Sequence, residues 1–153
     1  MSADILRFDH WMQAKPSALE AWTKRWPNFP PDEIACRGSG VVIVQSDFMD
    51  ALQSLRNVLA EPMHITSGCR SAAYNLKIGG KEHSFHICDE DPGERGQEGC
   101  LAVDVAAPDG TYRGHLFEAS WSMGWSIGWN AVKKFLHLDK RTTVGWKQTS
   151  FDY

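Results

Sequence analysis

Three short stretches of this chain carry side chains that could do chemistry together. The first is the pair His86 and Asp104. Asp104 stands inside the apolar run Leu101-Ala102-Val103-Asp104-Val105-Ala106. A carboxylate buried there without a partner would be costly, so the run demands a strong partner for it. A metal ion is one such partner, and His86, in the triplet Ser84-Phe85-His86, is a natural co-ligand. The second stretch is Phe135-Leu136-His137-Leu138-Asp139. In a strand, residues two apart point the same way, so His137 and Asp139 share a face. The third is Arg70, in the tight turn Ser67-Gly68-Cys69-Arg70-Ser71, which would hold a guanidinium in one place. Two imidazoles and one carboxylate on zinc leave a coordination position open for water. A metal so held polarises a carbonyl and lowers the pKa of its water, which suits amide hydrolysis. Arg70 is then suited to hold a substrate carboxylate through two parallel hydrogen bonds.

These residues need elements to position them. Ser17 reads as an N-cap for a short helix over 18–26, which Trp26-Pro27-Asn28-Phe29-Pro30-Pro31 stops. Residues 1–35 as a whole read as an arm that wraps across the domain. Gly38 and Gly40 mark a turn into a short strand over 41–44. Ser46 reads as the N-cap of the clearest helix, with Phe48, Met49, Leu52, Leu55, Val58 and Leu59 on one apolar face, ending near Glu61-Pro62. A buried strand over 63–66 leads into the Arg70 turn and a brief helix that ends at Gly79-Gly80. Pro108-Asp109-Gly110 is a turn, followed by a second long helix over 112–125. Short strands are expected over 126–129, 135–139 and 143–147. Two long helices among short strands, without regular alternation, predict an α+β domain.

A length of 153 residues is enough for one domain with a real core. The formal net charge of −3 is local. Asp89, Glu90, Asp91, Glu94 and Glu98, offset by Arg95, put an excess of negative charge in one glycine-rich loop, and the remainder is close to neutral without a basic stripe. Nucleic acid is therefore not an expected partner. No signal peptide and no membrane-spanning run is visible, so synthesis is expected in the cytoplasm, with no membrane partner and a monomeric state. The seven tryptophans suggest an aromatic core or an aromatic-lined groove. Of these, Trp121, Trp125, Trp129 and Trp146 are expected mainly in the core, with Trp129 or Trp146 able to face a cleft. None of Cys36, Cys69, Cys88 and Cys100 forms a Cys-x-x-Cys pair, which argues against a zinc ribbon. Cys88 and Cys100 bracket the acidic loop and are read either as free thiols or as a disulfide at its base. His83 is expected beside the site or exposed, and His10, His64 and His115 are read as structural.

Taken in order, Ser67-Gly68-Cys69-Arg70-Ser71, Asn75, Gly79-Gly80, Ser84-Phe85-His86, Ala102-Val103-Asp104-Val105 and Phe135-Leu136-His137-Leu138-Asp139 resemble the zinc peptidoglycan peptidases of the D-Ala-D-Ala carboxypeptidase and L-Ala-D-Glu endopeptidase group. That group shares its fold with Hedgehog signalling domains. The resemblance covers roughly residues 36 to 140. It implies a small α+β domain with an antiparallel sheet and two main helices, the whole chain forming one zinc peptidase domain. It implies Zn²⁺ on His86, Asp104 and His137. Arg70 would bind a carboxylate or carbonyl of the peptide, and Ser84 would line the substrate cleft.

Two departures from that group stand out. The stretch between His86 and Asp104 is much longer than usual, because the acidic loop 88–100 is inserted. Its ligands still converge if the loop leaves and returns at one point, and the added closure entropy is modest. The loop would lid the cleft or shape specificity. Its spacing does not fit an EF-hand, which makes calcium there a minor expectation. The second departure is Lys134, which stands where many relatives carry an acid three residues before the last zinc His. Asp139 is the nearest replacement as catalytic base, the other reading being a pair with Lys140 or Arg141 at a solvated strand end. The expected function is zinc-dependent hydrolysis of amide bonds in peptidoglycan stem peptides, by a carboxypeptidase or an endopeptidase of phage endolysin type that reaches the wall after release. The alternatives are a non-catalytic zinc-stabilised binding module or phage structural component, and a cytoplasmic dipeptidase.

Overall fold

The segment with the strongest helical period becomes the helix at the centre of the core. The computed structural model describes residues 4–90 and 98–153. In it, helix α3 spans Ser46–Leu59 and buries Phe48, Met49, Leu52, Leu55 and Leu59. Val58, read from the sequence as part of the same face, points outward and is 63% exposed. Ser46 is the first helical residue and not the cap: Gln45 occupies that position without a side-chain hydrogen bond. The preceding elements in chain order are strand β1 (Ile5–Phe8), helix α1 (Pro16–Arg25), the one-turn helix α2 (Pro31–Ile34) and strand β2 (Val42–Gln45). Ser17 likewise lies inside its helix, since Lys15 is the N-cap and Pro16 takes the first position, where its missing N–H costs nothing. The wrapping arm is real in one respect: β1 pairs antiparallel with β2, from Ile5 opposite Gln45 to Phe8 opposite Val42.

The remaining elements build a five-stranded sheet. They are β3 (Ile65–Ser67), helix α4 (Ala72–Lys77), β4 (Ala102–Ala106), helix α5 (Gly110–Ser122), β5 (Ser126–Asn130), β6 (Phe135–Asp139) and β7 (Ser150–Asp152). The strand order is β3-β4-β6-β5-β7, antiparallel throughout except for the parallel pair β5 and β7. The domain is a mixed α+β fold. Asp109 caps α5 by accepting from the Tyr112 N–H at 2.8 Å, so the helix starts at Gly110, two residues earlier than the sequence places it.

Alternation along β4 and β6 separates packing from chemistry. Val103, Val105, Leu136 and Leu138 are buried among the core residues. Asp104, His137 and Asp139 are buried as well, on the opposite face of the sheet. Trp125 lies in the core with no exposed surface, while Trp146 is 45% exposed.

The strand expected over 143–147 does not form. That segment is a 3₁₀ turn, Arg141–Val144, ended by Gly145 at φ 86°. The Trp146 N–H returns to the Arg141 carbonyl at 3.1 Å, which closes the chain on itself and leaves no free edge to pair. Pairing resumes at β7. Cys36, Cys69, Cys88 and Cys100 are all buried free thiols, so the free-thiol reading of Cys88 and Cys100 is the one observed. The expectations of a lid, a specificity loop or a calcium site fall largely on residues 91–97, which lie outside the described residues.

Candidate metal centre

Sheet register brings two of the three ligand candidates face to face. Asp104 in β4 is directly opposite His137 in β6. His86 reaches them from outside the sheet, and its backbone is fixed from two sides. The Arg70 N–H donates to the His86 carbonyl at 2.8 Å, and the Leu101 N–H donates to the Phe85 carbonyl at 2.9 Å. The insertion therefore departs and returns beside one point, and His86 stays next to β4.

The resulting triangle is tight. His86 Nε2 lies 3.1 Å from Asp104 Oδ1 and 3.2 Å from His137 Nδ1, and His137 Nδ1 lies 3.0 Å from Asp104 Oδ1. Ligand atoms on a tetrahedral zinc with bonds of ~2.0–2.1 Å stand about 3.3 Å apart, so these three need almost no movement to take one.

The outward-facing nitrogens are already in use. His86 Nδ1 is 2.7 Å from the Gly68 carbonyl, and His137 Nε2 is 2.9 Å from Asp139 Oδ2. Each partner accepts a proton, so each ring, once neutral, carries its N–H outward and turns its lone pair toward Asp104. Two lone pairs and a carboxylate oxygen converging in a buried space are the donor set of a cation site. Among the described residues this is the one His/Cys/Asp/Glu group so arranged. The residues fit zinc, the ion the resemblance implies.

A guanidinium completes the centre. Arg70 Nη2 donates to Asp104 Oδ2 at 3.1 Å, Nε to Ser67 Oγ at 3.0 Å, and Nη1 to Asn75 Oδ1 at 3.3 Å. Asn75 is in turn held by the Lys81 carbonyl at 2.9 Å. A Cβ on Gly80 would lie 2.1 Å from Asn75 Oδ1, which is why the chain has a glycine there. Ser84 is buried, and its Oγ accepts from the His86 N–H at 3.2 Å. Asp139 is fully buried rather than at a solvated strand end. It accepts from Arg141 Nε at 2.8 Å and Nη2 at 2.7 Å, and from His137. Lys134 is exposed at the β5–β6 turn with φ 55°.

The charges of these groups depend on one another. Burial would push the Asp104 carboxyl up, but the His86 charge and the hydrogen bonds of His137 and His86 hold it well below the usual carboxylate range. Burial likewise opposes ionisation of Asp139, and its bonds to Arg141 and His137 overcome that. Replacing Asp139 by Asn is expected to weaken zinc binding by about 10–100-fold with little change in fold, because the ring of His137 loses the carboxylate that orients it. Competition with a chromophoric chelator measures this, and an unchanged affinity would remove Asp139 from the metal's support.

The centre opens into a cleft with a cavity on either side. One, of about 450 Å³, is lined by Arg37, Arg70, Lys81, Asn130, Lys133 and Asp104 among others. The other, of about 390 Å³, includes Ser84, Phe85, His137, Trp146 and Phe151. His83 also lines the second cavity. Trp146 packs edge-on against Phe85 at 5.4 Å, so it is the tryptophan that faces the cleft. His10 accepts from the Met12 N–H, and His115 pairs with Glu61. Tyr153 and Phe151 lie in the cleft without any motif to announce them in the sequence. A terminal strand of three residues gives no periodicity to read.

Residues 27–139 match the family model described as Peptidase M15. No curated protein matches the chain.

Proposed function

The chain belongs to the peptidase M15 family, whose members are zinc peptidases of the D-Ala-D-Ala carboxypeptidase-like kind, and from that premise we propose that it hydrolyses amide bonds within peptidoglycan stem peptides. The observation that carries the reading is the convergence of His86 Nε2, Asp104 Oδ1 and His137 Nδ1 to within 3.2 Å of one another, each imidazole with its other nitrogen already bonded. A zinc ion bound there supplies a Lewis acid for a carbonyl oxygen and a water of lowered pKa.

The chain's own residues do the rest. Asp139 keeps a proton on His137 Nε2, so Nδ1 remains a lone pair. Arg70 fixes Asp104 through Oδ2 and leaves Oδ1 to the site. Arg37, Lys81 and Lys133 join Arg70 around one cavity, where Asp104 is the one carboxylate among the described residues. Such a wall favours a peptide rich in carboxylates, as stem peptides are. Ser84 and the aromatic Phe85 and Trp146 line the opposite side. A cleft that continues on both sides of the centre suits an internal bond, which favours endopeptidase over carboxypeptidase action. A lytic enzyme of phage type fits this reading. Among the described residues no helix is long and apolar enough to cross a membrane.

A second reading has one specific observation behind it. Lys134 stands where relatives carry an acid, which would suit a zinc-stabilised binding module without turnover. Incubating the zinc-loaded protein with purified cell walls, and counting newly freed amino groups, separates the two. New amino termini from walls, with free dipeptides left uncut, are the expected result. Binding to walls without new termini would establish the module instead, and cleavage of free dipeptides alone would indicate a dipeptidase.

A further inference from the structure

One polar group in the cleft has no part in the chemistry above. Tyr153 follows β7, and its N–H donates to the Trp129 carbonyl at 2.9 Å. Its ring lies flat on the His137 imidazole, with centroids 4.4 Å apart and planes 10° from parallel. Phe135 packs against its edge at 5.7 Å, and Lys81 Nζ sits 5.3 Å from the ring centroid. The ring therefore rests on one metal ligand, and the residue lines the same cavity as Asp104 and its partner Arg70.

The fold reserves space for this arrangement. Gly128 in β5 is directly opposite His137. A Cβ on Gly128 would lie 2.9 Å from Tyr153 Cβ and 2.7 Å from Phe151 Cε2. The sheet thus omits a side chain next to the ligand, and the final residues of the chain occupy the space. Tyr153 and Lys81 are the residues that line both cavities, so a peptide passing from one to the other crosses Tyr153.

We propose that Tyr153 is a catalytic residue whose phenol O–H donates a hydrogen bond to the carbonyl oxygen of the bond being cut as that oxygen gains negative charge. The proposal rests on the peptidase reading. No bond to Tyr153 forms or breaks. Its hydrogen bond strengthens as the trigonal carbonyl becomes a tetrahedral oxyanion, which is where a preorganised donor accelerates a reaction most.

The test compares zinc-loaded wild type with Tyr153→Phe, which keeps the ring and its stacking. Zinc content and melting temperature are expected to stay the same, with KM nearly unchanged and kcat lower by about 10²-fold. A phosphinate analogue of a dipeptide, tetrahedral at phosphorus, is expected to lose affinity by a similar factor, while a product peptide binds both proteins equally. Equal kcat in the two proteins overturns the proposal and leaves the peptidase reading standing. Loss of zinc or of the fold in Tyr153→Phe also overturns it, because the hydroxyl would then be structural. A wild type that cuts no peptide overturns the peptidase reading, and the phosphinate titration then decides for Tyr153 alone. Equal phosphinate affinity in the two proteins, at any level, counts against it, and a selective loss supports it.

Discussion

Zinc and peptide hydrolysis are expected to disappear together when His137 is replaced by Ala. The substitution removes one of three ligand atoms and also leaves Asp139 without the ring it orients. Two remaining protein ligands do not make a closed site for zinc. The core residues lie on the other face of the sheet, so the metal-free variant is expected to keep its secondary structure. Zinc content by plasma emission, circular dichroism and wall cleavage check the three parts. A variant that retains a full equivalent of zinc would show that His137 is not a ligand.

The same centre makes zinc uptake depend on pH. Burial alone would lower the pKa of His86, but the charge and hydrogen bond of Asp104 outweigh it and raise it to about 9 in the metal-free protein. One proton must then leave as the metal enters, so below that value apparent affinity falls by about tenfold per pH unit. The stability of the metal-free chain runs the other way. A raised pKa stabilises the fold below the ordinary imidazole value, and that contribution is lost as pH rises through about 9. The melting-temperature gain on adding zinc is therefore expected to grow as pH rises from about 6.5 to about 9. Proton release read with an indicator in weak buffer tests the linkage, and a metal affinity flat across this range contradicts it.

The largest effect on stability is expected from Arg70→Ala. Arg70 and Asp104 form a buried ion pair at 3.1 Å, with both side chains under one-tenth exposed. Breaking such a pair by removing one member costs about 3–5 kcal/mol, because the other charge stays buried without its partner. Ser67 and Asn75 lose hydrogen bonds in the same step. Bound zinc offers Asp104 a second positive neighbour, so the cost is expected to be smaller in the zinc-loaded protein. Urea unfolding with and without zinc measures both values. If Arg70→Ala unfolds like wild type and only KM rises, the residue serves the substrate and not the ligand.

Much of this was legible in the sequence, for identifiable reasons. Asp104 announces itself because a carboxylate in an apolar run has a high energetic cost. His137 and Asp139 follow from a period of two, and α3 from a period near four. The pair Arg70 and Asp104 was not legible. It joins residues from β4 and a distant turn, and no spacing encodes that meeting. Val58 looked apolar and therefore buried, but a helix with enough other apolar residues need not bury every one. The β-branched residues Thr143 and Val144 suggested a strand, and Gly145, with its left-handed φ, closed a turn instead. Strand β7 carries no signal of its own. It exists because β5 offers it an edge, and with it come Phe151 and Tyr153.

The base of the insertion has a further consequence. Cys88 donates through its N–H to the Arg70 carbonyl at 3.0 Å, Cys100 to the Ile43 carbonyl at 2.8 Å, and Leu101 to the Phe85 carbonyl at 2.9 Å. Each of these ties runs to a part of the domain outside the insertion. Doubling the length of a flexible loop costs only about 0.6 kcal/mol once its ends are held. Descendants of this chain can lengthen, shorten or recharge the segment while inheriting the same reactive centre. Changes of length or charge between Cys88 and Cys100 are then expected to leave His86, Asp104 and His137 where they stand, because the ties that hold them lie outside that segment.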